Sequence, residues 1–376
     1  MFKKSLIAVA VLGATAFSVQ AADVTMYGKV DLGLQYKTSE VTVGDKTMVD
    51  EDTFSMENGR NSASRFGIKG SEDLGNGMKV SFQLENGFKA DSGEFKTEGK
   101  LFDRQATVAL SSDFGTLTMG RVGGIGSGAG FDIVYLTGDS FDGGCGDVLG
   151  LVQSARYDNM ITYQTPKFAG LQATVQYSFN EDSVEETARE GSSAVNRYSS
   201  AALTGDFGAL QTVLAYEFQN YKSFGAAEHD DGQIVYLGGN YDCGFAKTFV
   251  MGQYFKGIKA AQLTAITEAD AARIDSAVDP EESAAAGVKG YGVHLGTIVP
   301  VAGGDLTVAA YFTDFTVEFD DGVDGDAKSY AFGAKYEYYL SKRTSVYTGA
   351  GFAQVKYDDD GSDKTTQAYL GLTHRF

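Results

Sequence analysis

The last ten residues, Gln367 to Phe376 (QAYLGLTHRF), constrain this chain more than any other stretch. Ala368, Leu370, Leu372, His374 and Phe376 fall on one face, and Gln367, Tyr369, Gly371, Thr373 and Arg375 on the other. A period of two belongs to a β-strand, and here one face is apolar and the other polar. The same alternation recurs upstream. Met78, Val80, Phe82 and Leu84 interleave with Lys79, Ser81, Gln83 and Glu85, and Leu306, Val308, Ala310 and Phe312 with Thr307, Ala309, Tyr311 and Thr313. A soluble sandwich also alternates, with its apolar face inward. A membrane barrel alternates with its apolar face toward lipid and its polar face toward a wet lumen. Periodicity alone does not separate these two.

The N-terminus does. Residues 1–21 (MFKKSLIAVAVLGATAFSVQA) carry Lys3 and Lys4, an apolar run from Leu6 to Phe17, and small residues at Val19 and Ala21. This is the pattern of a cleaved signal peptide, with the exported chain starting at Ala22. The run is too short for a spanning helix, and no later segment approaches ~18 consecutive apolar residues. The exported chain is therefore soluble or a barrel.

Composition favours the barrel. There are 48 glycines, 3 prolines, 21 tyrosines and 25 phenylalanines, against averages of about 7% Gly and 5% Pro. Strands tolerate few prolines, and Pro166 and Pro300 both fall at strand ends. With no Trp, any aromatic girdle must consist of Tyr and Phe. Cys145 and Cys243 fall at different heights of the layout below, so they are read as two separate thiols.

Short connections hold turn residues: 73–77, 113–115, 168–170, 206–208, 242–244, 301–304 and 340–342, most built from Asp and Gly. Between them lie long gaps at about 38–61, 90–100, 122–153, 181–196, 222–231, 258–288, 318–327 and 358–364. Seven short turns and eight long loops predict sixteen antiparallel strands, an even number in the range that encloses an aqueous channel. The net charge is −19, and −21 once Lys3 and Lys4 are removed. Acids cluster at Asp50–Asp52, Glu181–Glu190, Glu228–Asp231, Glu268–Glu282, Asp320–Asp326 and Asp358–Asp363, almost all in the long gaps. Alternate gaps share one rim of an up-and-down barrel, so one rim is acidic. That excludes nucleic acid as a partner and attracts cations.

Several strings together carry a resemblance that spans the whole exported chain: ADVTMYGKVDLGL, SRFGIKGSEDLGNGMKVSFQLENGF, RQATVALSSDFGTLTMGR, ITYQTPKFAGLQATVQYSF, YDCGFAKTFVMGQY and the terminal AYLGLTHRF. In this order and spacing the chain resembles the Gram-negative general porins, trimeric sixteen-stranded diffusion channels, and most closely their neisserial and burkholderial branch. The resemblance implies a homotrimer in the outer membrane, in contact with lipid and lipopolysaccharide, passing ions and small hydrophilic solutes. It implies that the barrel-assembly machinery reads the terminal Phe376. No cofactor and no metal are implied.

In porins the third loop folds into the barrel, and the gap at 122–153 matches it in position and length. Its glycines, GGIGSGAG from Gly123 to Gly130, lack the βαβ context and spacing of a dinucleotide site and suit a sharp inward bend. The resemblance implies a basic constriction wall at Lys29, Arg65, Arg121 and Arg156. Alternation independently points Arg65 and Lys69 inward. Arg121 shares parity with the apolar Leu117 and Met119, so it needs a bulge to face the lumen. Arg104 shares parity with Ala106, Val108 and Leu110 and is left out. Opposing acids are expected from the loop, at Asp132, Asp139, Asp142 and Asp147. Acidic loops against a basic wall predict a modest cation preference.

An outer-membrane barrel enzyme would need a nucleophile beside a base. The three histidines, His229, His294 and His374, stand apart and have no metal-ligand spacing. A substrate-selective pore or an adhesive barrel shares the same strands; a sugar site would need an aromatic track that the sequence does not locate.

Overall fold

The computed structural model describes residues 23–44, 46–127, 131, 133–141, 151–180, 195–221, 230–259, 263, 285–319, 324–358 and 361–376. The expected signal peptide at 1–21, Cys145 and most of the tip of the 122–153 loop lie outside these. The chain forms β1 (Asp23–Val43), β2 (Lys46–Asn58), β3 (Arg65–Gly75), β4 (Met78–Gly87), β5 (Gln105–Ser112), β6 (Gly115–Gly123), a short helix α1 (Ile133–Gly138), β7 (Arg156–Gln164), β8 (Leu171–Ser178) and β9 (Arg197–Phe207). It continues with β10 (Leu210–Asn220), β11 (Gly232–Asp242), β12 (Lys247–Ile258), β13 (Ala285–Val301), β14 (Gly304–Phe319), β15 (Gly325–Tyr339), β16 (Thr344–Tyr357) and β17 (Ser362–Arg375).

Seventeen segments make sixteen staves. Going down from the rim, β1 pairs first with β2, from Val43↔Lys46 to Leu32↔Asn58, and then with β3, from Lys29↔Arg65 to Asp23↔Ser71. The second stave is thus one antiparallel strand interrupted at residues 59–64. Each later strand pairs with its predecessor, and β17 returns to β1 from Lys29↔Arg375 to Thr42↔Ser362, closing the barrel. Closure matters because hydrocarbon offers no partner for an open edge.

All seven short turns occur where expected. At β3–β4, Asp73 Oδ1 accepts the Gly75 N–H at 2.8 Å, and Asn76 has φ 53°. The same motif recurs at β11–β12, where Asp242 Oδ1 accepts from Gly244. The gap expected at 38–61 is instead mostly the β1–β2 hairpin. On its outward face Asp50 and Asp52 interrupt the apolar Met48, Phe54 and Met56, so the apolar period is broken.

The outer face bears exposed Leu237, Leu295, Phe332 and Leu370, while their neighbours His294, Ala331 and Tyr369 turn inward and are buried. Phe376 lies in phase with Leu370 and Leu372 and closes the seam: its N–H and C=O bond the Gly28 backbone at 3.0 and 3.1 Å. A Cβ on Gly28 would lie 2.5 Å from the Phe376 ring, so only glycine fits there. Cys243 is a free, exposed thiol in the β11–β12 turn.

The lumen is not uniformly wet. Ile125, Ile133, Val134, Phe141, Leu151 and Val152 pack against inward residues of the far wall such as Ala215, Ile234, Met251 and Phe255, forming a dry cluster inside the barrel. The segment after β6 therefore lies in the lumen, against β10 to β12.

Candidate pore constriction

Register brings the basic residues to one level. Lys29 pairs with Arg65 across β1–β3, Arg65 with Gly87 across β3–β4, and Glu85 with Gln105 across β4–β5. Ala106 then pairs with Arg121, and Gly123 with Arg156. Lys29, Arg65, Arg121 and Arg156 thus ring one quadrant of the wall. The bulge Arg121 requires is present: the β6–β7 register shifts between Gly120 and Val122, and Gly120 has φ 124°. A Cβ there would collide with the Ala106 carbonyl.

Arg104 belongs to this cluster although parity had assigned it outward. β5 begins at Gln105, so strand alternation does not apply to Arg104. Its Nε donates to Glu85 Oε1 at 2.6 Å, and Arg65 Nη1 lies 3.8 Å from the same oxygen. Tyr27 donates to the other oxygen, Oε2, at 2.9 Å. Arg121 Nε donates to the Asp103 carbonyl at 2.7 Å, and its Nη1 pairs with Asp158 Oδ1. Lys100 Nζ meets Asp158 Oδ2 at 3.1 Å. Arg156 lies within electrostatic reach of Arg65, Asp103, Arg104 and Arg121, and its Nε has no partner among the described residues. The patch therefore holds six cations, Lys29, Arg65, Lys100, Arg104, Arg121 and Arg156, against three carboxylates, Glu85, Asp103 and Asp158. Those carboxylates sit within the wall or beside it. In the sequence they read as ordinary inward or loop residues.

Lys69 stands apart. It faces inward four residues below Arg65, its ammonium 5.1 Å from the Tyr27 ring centroid. With Lys79, Gln83, Gln105, Thr118 and the apolar Phe82 and Phe131 it lines a recess of about 480 Å³ beneath the arginines.

The third loop is anchored on the opposite side. The Gly126 N–H donates to Glu217 Oε1 at 2.7 Å, and the Ile125 N–H to Tyr198 Oη at 2.9 Å. Tyr198 and Tyr236 also donate to Glu217, at 2.5 and 3.1 Å, so this wholly buried carboxyl is the hub of the latch. Asn240 Nδ2 bonds the Thr137 carbonyl at 2.8 Å. Asp139 turns toward this wall: its Oδ1 accepts from Tyr311 at 2.6 Å and lies 3.5 Å from His294 Nε2. Asp132, Asp142 and Asp147 lie outside the described residues. Nothing in the sequence around Glu217 (AYEFQN) marks it as a latch, because its partners are distant in the chain.

Residues 8–375 match the family model described as Gram-negative porin. An outer membrane porin protein of Bordetella pertussis is 32% identical, over 100% of each chain. The major outer membrane protein P.IB of Neisseria gonorrhoeae is 29% identical, again over 100% of each. Among solved structures, an anion-selective porin from Comamonas acidovorans aligns with TM-score 0.63 at 24% identity, covering 94% of this chain and 100% of that one. The trimer form of OmpT from Vibrio cholerae aligns with TM-score 0.58 at 17% identity, covering 95% and 100%. At these identities the solved structures speak to the fold.

Proposed function

Because this chain belongs to the Gram-negative porin family, it is an outer-membrane diffusion channel for ions and small hydrophilic solutes and not an enzyme, and we propose that its narrowest passage lies between the basic wall on β1 to β7 and the third loop. One observation carries this reading: the register across six neighbouring staves brings Lys29, Arg65, Arg121 and Arg156 to one level, facing a loop latched to the far side by Glu217.

The wall has more cations than carboxylates, and low-dielectric barrel walls focus its field across the narrow lumen. Solutes that order poorly in such a field, the uncharged and apolar ones, are disfavoured. The acidic rim concentrates cations at the mouth, whereas the wall favours anions at the constriction. Two unit charges ~8 Å apart interact by only about 0.5 kcal/mol in bulk water, so focusing decides the outcome. Of the loop acids, Asp139 is occupied at the far wall, leaving Asp132, Asp142 and Asp147 as candidates to face the arginines.

The working unit is a homotrimer in outer-membrane lipid and lipopolysaccharide, matured by removal of residues 1–21. The exposed apolar patch on β1, β2 and β17, with Leu34, Tyr36, Phe54, Met56 and Leu370, supports subunit packing. Cross-linking in mild detergent yields trimers on this reading and monomers if it is wrong. The carboxy-terminal Phe376 serves as the signal for the assembly machinery.

Deleting Gly126–Gly150 tests the constriction. The barrel should still fold as a trimer, with larger single-channel conductance. Unchanged conductance would put this segment outside the ion path.

A further inference from the structure

We propose that residues 59–64, where the second stave breaks between β2 and β3, form a second constriction element facing the third loop. This inference rests on the constriction reading above and adds a piece of wall to it. The break does not bulge outward. Gly59 turns with φ 75°, and Asn61, Ser62 and Ser64 are all buried.

Each of them has a task. Ser62 Oγ accepts from Lys29 Nζ at 2.6 Å and from Arg65 Nη2 at 3.2 Å. One hydroxyl thus orients two cations of the basic wall, and the Ala63 carbonyl takes Arg65 Nε at 3.0 Å. Asn61 Oδ1 accepts from Lys335 Nζ on β15 at 2.8 Å, and the same ammonium lies 5.4 Å from the ring centroid of Phe141 in the third loop. Lys335 is therefore the point where insert and loop meet. The base is fixed by Asp31, which is wholly buried. Its Oδ1 accepts from Tyr347 at 2.7 Å, its Oδ2 from Thr373, and its N–H donates to Ser64 Oγ at 3.0 Å.

An ordinary stave would be hydrogen-bonded straight through this level. Interrupting it gives up ladder bonds, and the side chains of the break restore partners at the level of Lys29 and Arg65. Ser62 is thus a positioning residue for the charged wall, and Lys335 is a specificity-determining cation beyond the arginine quadrant.

The test is the reversal potential in a salt gradient, with trimer formation checked on each variant. Ser62→Asp puts a carboxylate within reach of Lys29 and Arg65. It should move the reversal potential toward cations by roughly one third of the shift seen when Arg65, Arg121 and Arg156 are all changed to glutamine, since one charge is offset in place of three in the same focused field. Lys335→Met should move it the same way and add brief closures, because the Phe141 end of the loop loses its cation. Ser62→Ala, which keeps every charge but releases Lys29 and Arg65, should raise open-channel noise; a channel as quiet as wild type would show that Ser62 does not position them. If the three-arginine variant shifts the potential while Ser62→Asp and Lys335→Met do not, residues 59–64 lie outside the ion path and the inference is overturned. If Ser62→Asp does not assemble, Lys335→Met decides. If the three-arginine variant is silent as well, the constriction reading itself fails.

Discussion

Replacing Glu217 with alanine removes the hub that holds the start of the third loop. Three donors lose their acceptor: the Gly126 N–H and the hydroxyls of Tyr198 and Tyr236. Each such bond is worth about 1 kcal/mol net, and leaving a buried donor unpaired costs about 1–3 kcal/mol. Allowing for non-additivity and for water entering the gap, the turn at Gly124–Ser127 should lose roughly 3–6 kcal/mol of docking free energy. The whole loop is held by more than this. Ile125, Ile133, Val134, Phe141, Leu151 and Val152 are buried against the far wall, at about 1.5–3 kcal/mol each and on the order of 9–18 kcal/mol together as an upper bound. Apolar docking therefore outweighs the latch. The loop should stay inside the barrel while its first turn samples undocked states, the local equilibrium having moved by about two to four powers of ten. In planar bilayers, Glu217→Ala should show nearly normal mean conductance but larger open-channel noise and frequent short closures. Glu217→Gln, which keeps the shape and one acceptor oxygen, should fall between. A quiet Glu217→Ala channel with folded trimers would refute the latch. A wide-open channel would show that the apolar docking is weaker than its burial implies.

Further outcomes are expected. Gly120→Ala should misplace Arg121, because a Cβ meets the Ala106 carbonyl at a φ that side chains avoid; it should lower the trimer melting temperature and shift the reversal potential toward cations, and normal values for both would refute the bulge argument. Gly28→Val should impair closure of the β1–β17 seam, read as loss of heat-resistant trimer on gels. Deleting Phe376 should reduce the amount reaching the outer membrane far more than it lowers the melting temperature of the trimer that does form, since packing of one side chain is worth about 2–3 kcal/mol; a yield equal to wild type would reduce the residue to packing. Ion selectivity should weaken above ~1 M salt, where the Debye length is about 3 Å.

Much of the barrel was legible because its strands obey one rule. Where a strand has lipid on one side and lumen on the other, as at Ala368–Phe376, alternation identifies it, and Asp-Gly turns delimit it. The β1–β2 hairpin escaped because Thr38, Glu40, Asp50 and Asp52 interrupt the outward face that carries Tyr36, Phe54 and Met56, leaving only short apolar stretches to read. The basic wall was legible at Arg65 from parity and at Lys29, Arg121 and Arg156 from family likeness. Arg104 was missed by extending parity one residue beyond the strand. Glu85, Asp158 and Glu217 gave no signal, since their roles depend on partners brought together only by barrel closure and loop docking. Asp139 had the right residue type in the right loop, but Tyr311 and His294 draw it to the far wall.

On the proposed function, ions pass a basic wall at the level of Arg65, Arg121 and Arg156. The most direct test is the reversal potential of the channel with these three changed to glutamine, measured against wild type in the same salt gradient. A clear shift toward cations in a fully assembled trimer is expected. An unchanged potential would mean that the arginines do not border the ion path.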